Sequence, residues 1–223
     1  MGIYTKFGDN GFTHTADNMV VPKESCVIEA NGAIDELNCH IGLIRTRVST
    51  GEISQWMFSS RFRDGSLDYD KTINLLSVIQ KKLFEIGSIL SCQNCSSVYE
   101  KYMFLSDEDI LQLEINIDEC EQILRPLTNF VLPYGNELVC QIHIARTVCR
   151  RAERAIQPIF DFTNLPKNTD NKISHVQYLK VRKQFDLCRR YMNRLSDWLF
   201  VFARCAAHCS NCGEYCWEGS KSV

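Results

Sequence analysis

The chain has 223 residues, of which 45% are hydrophobic and 23% charged, and its formal net charge is −2 at pH 7. These values are typical of a soluble globular protein, and the near-zero charge excludes a general electrostatic attraction to nucleic acid or to an anionic membrane. No apolar run is long enough to span a membrane, and the N-terminus lacks the pattern of a secretory signal. We therefore expect a cytoplasmic protein, or a mitochondrial-matrix protein in a eukaryote, with neither nucleic acid nor a membrane as partner.

Residues 1–24 have the character of short strands and turns. Ile3–Thr5 and Val20–Pro22 are extended in type, and glycines lie between them at positions 8 and 11. Short extended pieces around glycine turns predict a small hairpin rather than a helix.

The same segment carries groups that can cradle phosphates. Gly8 allows the backbone to turn tightly, Lys6 supplies a cation, and Thr5 and Thr13 supply hydroxyls. Neither the G-x4-G-K-[S/T] nor the G-x-G-x-x-G signature of nucleotide-binding loops occurs in the chain. The spacing by itself fits an ordinary glycine hairpin equally well.

Five helical segments follow, each predicted by apolar residues at alternating spacings of three and four. They span about 25–50, 70–91, a third stretch that begins at Ser106 and ends before Pro126, 136–160 and 172–209. A repeat near 3.5 residues favours parallel or antiparallel packing. Polar connections occupy 51–69 and 161–171, and no linker separates two domains. We predict an all-α, five-helix bundle in one domain over 1–223, with an N-terminal strand and turn segment (1–24), the bundle (25–209) and a cysteine-rich tail (210–223).

The fourth helix carries an unusual cluster, with four arginines and one glutamate in the nine residues from 146 to 154. At about 100° per residue, Arg146, Arg150 and Glu153 fall on nearly one line with Arg154 beside them, whereas Arg151 points roughly 100° away from Arg150. A separate apolar stripe consists of Leu138, Ile142, Ala145, Cys149, Ala152 and Ile156. The guanidinium row suits a polyphosphate, although a solvated or salt-bridged face gives the same pattern.

Two other helices carry polar residues that share a face. Asp35 and Asn38 are three residues apart in the first helix, and Asn193 and Asp197 are four apart in the last. Ordinary solvated helix faces give the same patterns. Before the arginine helix, the apolar segment 130–135 either presents Phe130 to an apolar ligand or packs it in the core.

The chain contains 12 cysteines, which we interpret mostly as thiols, because a secreted disulfide scaffold is usually shorter and follows a signal peptide. Cys205, Cys209, Cys212 and Cys216 form a C-x3-C-x2-C-x3-C pattern. Four thiolates could bind zinc or an iron–sulfur cluster, but this spacing is not that of a standard zinc finger. The alternative is that the stretch simply continues the last helix.

Taken together and in this order, these segments resemble the PduO-type ATP:cob(I)alamin adenosyltransferases, or corrinoid adenosyltransferases. The matching segments are Ile3-Tyr4-Thr5-Lys6-x-Gly8-Asp9-x-Gly11-x-Thr13, Gly32-x-x-Asp35-Glu36-Leu37-Asn38, Phe130-x-Leu132-Pro133, Arg146-x-x-x-Arg150-Arg151-Ala152-Glu153-Arg154 and Asn193-Arg194-Leu195-Ser196-Asp197. Each motif is weak alone, but five in order over residues 3–204 are specific.

The resemblance implies a homotrimer of five-helix bundles with active sites between adjacent subunits. It implies transfer of the 5′-deoxyadenosyl group of ATP to the cobalt of cob(I)alamin or a related reduced corrinoid, with release of triphosphate. Mg²⁺ would accompany ATP, a reductase would supply the reduced corrinoid, and an adenosylcobalamin-dependent enzyme would accept the product. A non-enzymatic binder of ATP or corrinoid and a kinase-like phosphotransferase are the rival interpretations.

The resemblance also implies roles for individual residues. From one subunit, ATP would be bound by Thr5, Lys6, Gly8, Thr13, His14 and Lys23. From its neighbour, the site would be completed by Arg150, Arg151, Glu153, Arg154 and Asn193. Arg150 and Arg154 would face the triphosphate, and Glu153 would hold Mg²⁺ or orient the ribose. Arg151 is the least expected of these to contact phosphate directly.

Three further residues acquire roles from the resemblance. Asp35 would pair with Arg146 as a salt bridge between subunits, which fixes the corrin pocket rather than adding stability. Phe130 would keep the axial ligand off cobalt, and loss of that ligand makes cob(II)alamin easier to reduce. Tyr134 stands where many members of the family have glycine, and the 51–69 connection is longer than usual.

Overall fold

The computed structural model describes residues 2–50, 69–92, 105–160 and 175–219. Across these ranges, five α-helices follow a two-stranded antiparallel hairpin, so the predicted fold class is confirmed. The elements are β1 (Phe12–His14), β2 (Val20–Pro22), α1 (Cys26–Ser49), α2 (Tyr69–Ser91), α3 (Asp107–Glu121), α4 (Glu137–Ile156) and α5 (His175–Cys209). The predicted connections at 51–69 and 161–171 and the first residues of the 172–209 helix fall almost entirely outside the described residues.

The helices pack around one continuous apolar core. α1 lies between α2 and α4, and α5 packs against both α4 and α3. All six residues of the predicted apolar stripe on α4 are buried. The apolar repeat that predicts α5 is also buried, namely Tyr191, Leu195, Trp198, Leu199 and Phe202. The Trp198 and Phe202 rings stack with centroids 4.9 Å apart. Burial of these stripes is the main stabilising term of the bundle.

Local sequence sets the ends of α4. The Oδ1 atom of Asn136 accepts a hydrogen bond from the Val139 N–H at 2.9 Å and caps the first turn. The α-helix ends at Ile156 and continues as a 3-10 turn over Gln157–Phe160. The predicted helix to residue 160 is therefore wrong in its last turn. Pro158 explains the change, because it has no N–H to donate to the helical ladder.

The predicted start of α3 is confirmed. The Ser106 N–H donates to the Asp109 carboxylate at 2.8 Å, as half of a capping box does. The helix ends at Glu121, before Pro126 as predicted. A proline disfavours the helical conformation of the residue that precedes it, so the chain leaves the helix before it reaches Pro126.

The chain reverses direction after α5. Asn211 adopts the left-handed conformation, with φ 52°. The Cys212 N–H donates to the Ala207 carbonyl at 3.1 Å, and the Asn211 N–H donates to the His208 carbonyl at 3.2 Å. These two bonds define a Schellman motif, which terminates the helix. The cysteine-rich stretch therefore continues the helix only as far as Cys209.

The four tail cysteines do not converge on one point. Cys205 and Cys209 are buried in the bundle, whereas Cys212 is half-buried and Cys216 is exposed. The hydrogen bond between Cys205 and Cys120 of α3 raises the Cys205 pKa, and burial raises it further. Within the described part of the chain, no group of three or more His, Cys, Asp or Glu side chains could hold a metal ion. In the same ranges, no helix combines the length and the apolar character needed to cross a membrane.

Candidate active site

The N-terminal hairpin contains a strained turn. Lys6 has φ 60° and Gly11 has φ 81°, and a 3-10 turn lies between them. β1 and β2 pair with Thr13 opposite Val21, and the Lys23 N–H donates to the Gly11 carbonyl at 2.9 Å. A non-glycine residue at positive φ, such as Lys6, is uncommon and costs free energy, and such residues concentrate at ligand sites. The predicted extended piece Ile3–Thr5 is wrong, because the strands begin only at Phe12.

The hairpin brings two cations to one turn. Lys23 Nζ lies 3.0 Å from the position that a Cβ on Gly8 would occupy, so a side chain there would displace the ammonium group. The Phe7 and His14 rings have centroids 4.2 Å apart. The predicted ATP-binding residues Thr5, Lys6 and His14 are exposed, and Thr13 is half-buried. The single protomer therefore leaves a cationic turn open to a ligand or to another subunit.

The outward-facing arginines of α4 differ in whether they have an ion-pair partner among the described residues. Arg150 and Arg154 are exposed, and neither forms an ion pair with any described residue. Arg151 instead pairs with Glu36 of α1. Its guanidinium is thus engaged within the protomer, in agreement with its different direction on the helical wheel.

Glu153 and Asn193 lie together between α4 and α5. The Asn193 Nδ2 donates to a Glu153 carboxylate oxygen at 3.0 Å. Asp197, which shares a face with Asn193, instead accepts from Arg194 at 2.8 Å. The structure therefore joins two predicted site residues from different motifs and separates Asp197 from them.

Arg146 differs from its exposed neighbours. It is half-buried, and its Nε atom is buried without a hydrogen-bond partner among the described residues. Burial, with a further contribution from the charge of Arg150, lowers the Arg146 pKa from its usual value. An unsatisfied buried donor is unfavourable, so Arg146 is poised for a partner that the described residues do not supply.

Arg146 lies where two cavities adjoin. The first, here called the aromatic cavity, has a volume of about 770 Å³. Its wall includes Leu127, Phe130, Val131, Arg146, Phe200 and Trp217. The second, here called the polar cavity, has a volume of about 330 Å³. It shares Leu127, Arg146 and Phe200 with the first and adds Arg150, Arg194 and Asp197.

The aromatic cavity decides between the two interpretations of Phe130. Its side chain is 80% exposed and lies on the cavity wall, so it does not pack in the core. A large exposed aromatic ring of this kind is typical of a binding surface. Leu127, Phe200 and Trp217 of the same wall were not predicted from the sequence. No spacing rule connects them, because three separate parts of the chain supply them.

Asp35 lies apart from this pair of cavities. It lines a groove of about 270 Å³ between α1 and α2, beside Phe84. Asp35 is exposed and forms no ion pair with a described residue, whereas Asn38 is buried and donates to the Gln80 carbonyl at 3.3 Å. Asp35 and Arg146 therefore do not pair within the described protomer.

His143 lies one turn before Arg146 on the buried face of α4. It is 4% exposed, and its Nδ1 atom has no hydrogen-bond partner among the described residues. Burial, with the nearby charge of Arg146, lowers the His143 pKa to about 4. His143 is therefore neutral near pH 7 and belongs to the core.

Comparison with known proteins gives this combination of fold and site a family. The family model for cobalamin adenosyltransferase matches residues 3–206. The Homo sapiens corrinoid adenosyltransferase MMAB is 33% identical over 207 residues, which cover 92% of this chain and 68% of that protein. The Bacillus subtilis corrinoid adenosyltransferase is 30% identical over 223 residues, covering 100% of this chain and 95% of that protein.

Solved structures give the same result. A variant of the PduO-type ATP:corrinoid adenosyltransferase from Lactobacillus reuteri, complexed with cobalamin and ATP, matches with a TM-score of 0.69 and 26% identity. The match covers 98% of this chain and 100% of that one. The fold and the sequence thus define a helical-bundle protein of the adenosyltransferase class. The chain belongs to the cobalamin adenosyltransferase family.

Proposed function

We propose that this protein transfers the 5′-deoxyadenosyl group of ATP to the cobalt of a reduced corrinoid, forming adenosylcobalamin from cob(I)alamin and releasing triphosphate. Family membership over residues 3–206 supports the reaction class. The observation that carries the proposal in this chain is the meeting of two cavities at Arg146, one aromatic and one lined by arginines.

The two cavities match two different substrates. The aromatic cavity, at about 770 Å³, lies within the size range of small-molecule sites and offers flat apolar walls to a macrocycle. One turn further along α4, Arg150 faces the polar cavity and is free to bind a polyphosphate. α4 would therefore hold an apolar ligand and an anionic ligand next to each other.

The reaction requires alignment and charge stabilisation rather than a protein nucleophile. The cobalt of cob(I)alamin attacks C5′ of ATP, so a Co–C bond forms while the C5′–O bond breaks. The electron pair of that bond leaves with the triphosphate. The protein must hold the cobalt in line with C5′ and stabilise the charge on the leaving group. Arg150 and Arg154, both without a protein partner in the described residues, are suited to the second task.

We assign the ATP site to two adjacent protomers of a homotrimer. The hairpin of one protomer would supply Thr5, Lys6, Gly8, Thr13, His14 and Lys23. The neighbour would supply Arg150, Glu153, Arg154 and Asn193, with Arg151 held aside by Glu36. The exposure of the hairpin cations and of the α4 arginines supports this division.

The same arrangement gives Asp35 and Arg146 a joint role. Each is without an ion-pair partner in the described protomer, and their charges are opposite. We propose that they pair across the subunit interface and so fix the wall of the aromatic cavity. The buried Arg146 Nε would then gain the acceptor that it lacks.

The residues around Glu153 fit a magnesium ion carried by ATP. Mg²⁺ in nucleotide sites commonly takes one or two carboxylates together with phosphate oxygens and water. Glu153 offers one carboxylate, and Asn193 orients it through the 3.0 Å hydrogen bond. Bound there, Mg²⁺ would neutralise triphosphate charge, while Asn193 would keep the Glu153 carboxylate in place.

Phe130 is suited to control the axial coordination of cobalt. Its exposed ring projects from the wall of the aromatic cavity, where it would occupy the space of an axial ligand. Loss of that ligand makes cob(II)alamin easier to reduce. A one-electron reductase would then supply the reduced substrate, and an adenosylcobalamin-dependent enzyme would take the product.

One incubation tests the proposed function. The protein is mixed with ATP, Mg²⁺ and chemically reduced cobalamin under anaerobic conditions, and the phosphate products are separated. Formation of adenosylcobalamin with an equal amount of triphosphate is the expected result. Release of ADP would indicate a phosphotransferase, and saturable binding without turnover would indicate a carrier; either outcome contradicts the proposal.

A further inference from the structure

The segment after α5 adds a wall to the aromatic cavity. Residues 210–219, here called the C-terminal strap, lie beyond the 3–206 range that the family model matches. Within the strap, Trp217, Glu218 and Gly219 line the aromatic cavity together with Phe130. We propose that the strap is part of the corrinoid site and that Trp217 is a positioning residue, which holds the Phe130 ring over the cobalt. This inference rests on the proposed function.

Backbone hydrogen bonds join the strap to the Phe130 segment. The Trp217 N–H donates to the Phe130 carbonyl at 2.7 Å, and the Leu132 N–H donates to the Tyr215 carbonyl at 2.7 Å. Together they form an antiparallel bridge centred on Val131 and Cys216. In this register Phe130 and Trp217 lie directly opposite each other, and opposite residues of an antiparallel pair project to the same side.

The two rings are close enough to restrict each other. Their centroids are 6.4 Å apart and their planes meet at 57°, within the range of favourable aromatic pairs. Phe130 is 80% exposed and Trp217 is 53% exposed, so no core residue fixes either ring completely. Trp217 is therefore the side chain that limits how far the Phe130 ring can swing away from the cavity.

The bundle core holds the strap in place. Arg204, at 3% exposure, ion-pairs with Glu214 of the strap at 2.5 Å and donates to the Arg125 carbonyl at 2.7 Å. The Tyr134 and Tyr215 rings pack edge to face with centroids 4.6 Å apart. Ser210 accepts a hydrogen bond from Asn136 at 2.9 Å. Contacts with α5 and with the segment before α4 thus hold the strap in place before it reaches the cavity.

The position of Trp217 predicts an effect on one route of the reaction. Starting from preformed cob(I)alamin, the cobalt already lacks a strongly held axial ligand, and the Phe130 position matters less. Starting from cob(II)alamin and a reductant, the axial ligand must first be kept off the cobalt. A freely swinging Phe130 would allow water or the lower base to return to the metal.

The test compares wild type with Trp217→Ala and Trp217→Phe on both routes. For Trp217→Ala, we expect kcat on the cob(II)alamin route to fall about twofold to fivefold more than kcat on the cob(I)alamin route, a smaller change than removal of the Phe130 ring itself would cause. The electron paramagnetic resonance spectrum of the ATP-bound cob(II)alamin complex should show a larger population with an axial ligand. Trp217→Phe keeps an aromatic ring, so the ratio of the two routes and the electron paramagnetic resonance spectrum should both stay close to those of the wild type.

A second variant covers the case in which Trp217→Ala is poorly folded. Glu214→Gln weakens the anchor of the strap and does not alter the wall of the aromatic cavity, so it should shift the same ratio and the same spectrum in the same direction. Equal losses on both routes, or a wild-type spectrum in both variants, would overturn the positioning role. If the wild-type protein forms no adenosylcobalamin from cob(I)alamin, the proposed function itself fails. If wild type is active and both variants match it, only the inference about the strap fails.

Discussion

The charges of the bundle and the charges of the candidate site differ in how they are satisfied. In the bundle, Arg204 pairs with Glu214, and Lys82 contacts both Glu85 and Asp109. At the candidate site, Arg150 and Arg154 form no ion pair with a described residue. Charges that serve the fold are thus neutralised inside the protomer, whereas those assigned to the reaction are left for a ligand or a neighbouring subunit.

The largest expected effect is on turnover, from Arg150→Ala. Removing one preorganised donor to a developing charge costs about a hundredfold to a thousandfold in kcat. Because Arg150 is exposed, the free energy of unfolding should change little. The measurement is steady-state adenosylcobalamin formation. Arg189→Ala is the matched control, since Arg189 is an exposed arginine that pairs with Asp186 at 2.9 Å. Near-normal activity of Arg150→Ala would remove it from the triphosphate site.

In contrast to Arg150→Ala, the substitution Arg204→Ala should greatly lower the free energy of unfolding. The substitution leaves the Glu214 carboxylate and the Arg125 carbonyl without their buried partner. Loss of one member of a buried pair costs about 3 kcal/mol in the free energy of unfolding. Urea denaturation measures the change, and Arg189→Ala should cost under about 1 kcal/mol. Equal effects of the two substitutions would erase the contrast between interior and surface charges.

Buried His143 should make the free energy of unfolding depend on pH. Its pKa in the folded protein is about 4, below the value of about 6.5 in an unfolded chain. Between these values the unfolded state binds more protons, so the His143 contribution is complete above pH 6.5 and is lost as the pH falls towards 4. From pH 7 to pH 5 we expect the free energy of unfolding to fall by about 2 kcal/mol because of this group. His143→Leu should lose less over the same interval, and an unchanged pH dependence would contradict the prediction.

The pairing of Asp35 with Arg146 tests whether the site charges await a neighbour. Asp35→Asn, Arg146→Gln and the double variant form a thermodynamic cycle, with dissociation of the proposed trimer measured by sedimentation equilibrium. Close charge pairs across interfaces couple by about 1.5 kcal/mol or more, so the double variant should lose less than the sum of the two. Additive losses would show that the two residues do not contact each other in the assembly.

The smallest expected effect is a change in a ratio, from Phe130→Ala. The rate from cob(II)alamin plus reductant should fall severalfold more than the rate from preformed cob(I)alamin, because the role proposed for Phe130 is to exclude an axial ligand. Parallel assays of both routes measure it. Leu111→Ala removes an exposed apolar side chain of α3 and should leave the ratio unchanged. Equal losses on both routes would count against the axial role of Phe130.

Much of the fold follows from local patterns. The apolar stripes of α1, α4 and α5 predict buried faces, and the structure buries them. The end of α4 at Pro158 was less accurate, because a helix terminus depends on a few competing hydrogen bonds rather than on a repeated pattern. One strand of the hairpin was misplaced for the same reason: Val20–Pro22 forms β2 as predicted, whereas Ile3–Thr5 has strand composition but no partner, and the first strand is Phe12–His14.

The candidate site was predictable to a smaller extent. Helical geometry alone separated Arg151 from Arg150, and the structure gives Arg151 a protomer partner in Glu36. The contact of Glu153 with Asn193 joins residues 40 positions apart, which no local pattern encodes. The aromatic cavity could be predicted even less from local patterns, because its wall consists of residues from the 127–131 segment, two helices and the strap.

The sequence by itself determined the number of helices, their buried faces and the family, because these depend on periodicity and on motifs that are short and local. Tertiary structure alone decided which arginines have no ion-pair partner among the described residues, that Phe130 is exposed rather than buried, and that the cysteine-rich stretch folds back as a strap. These features depend on which side chains from distant segments come within contact distance. Which segments come within contact distance depends on how the five helices pack together and not on any single helix.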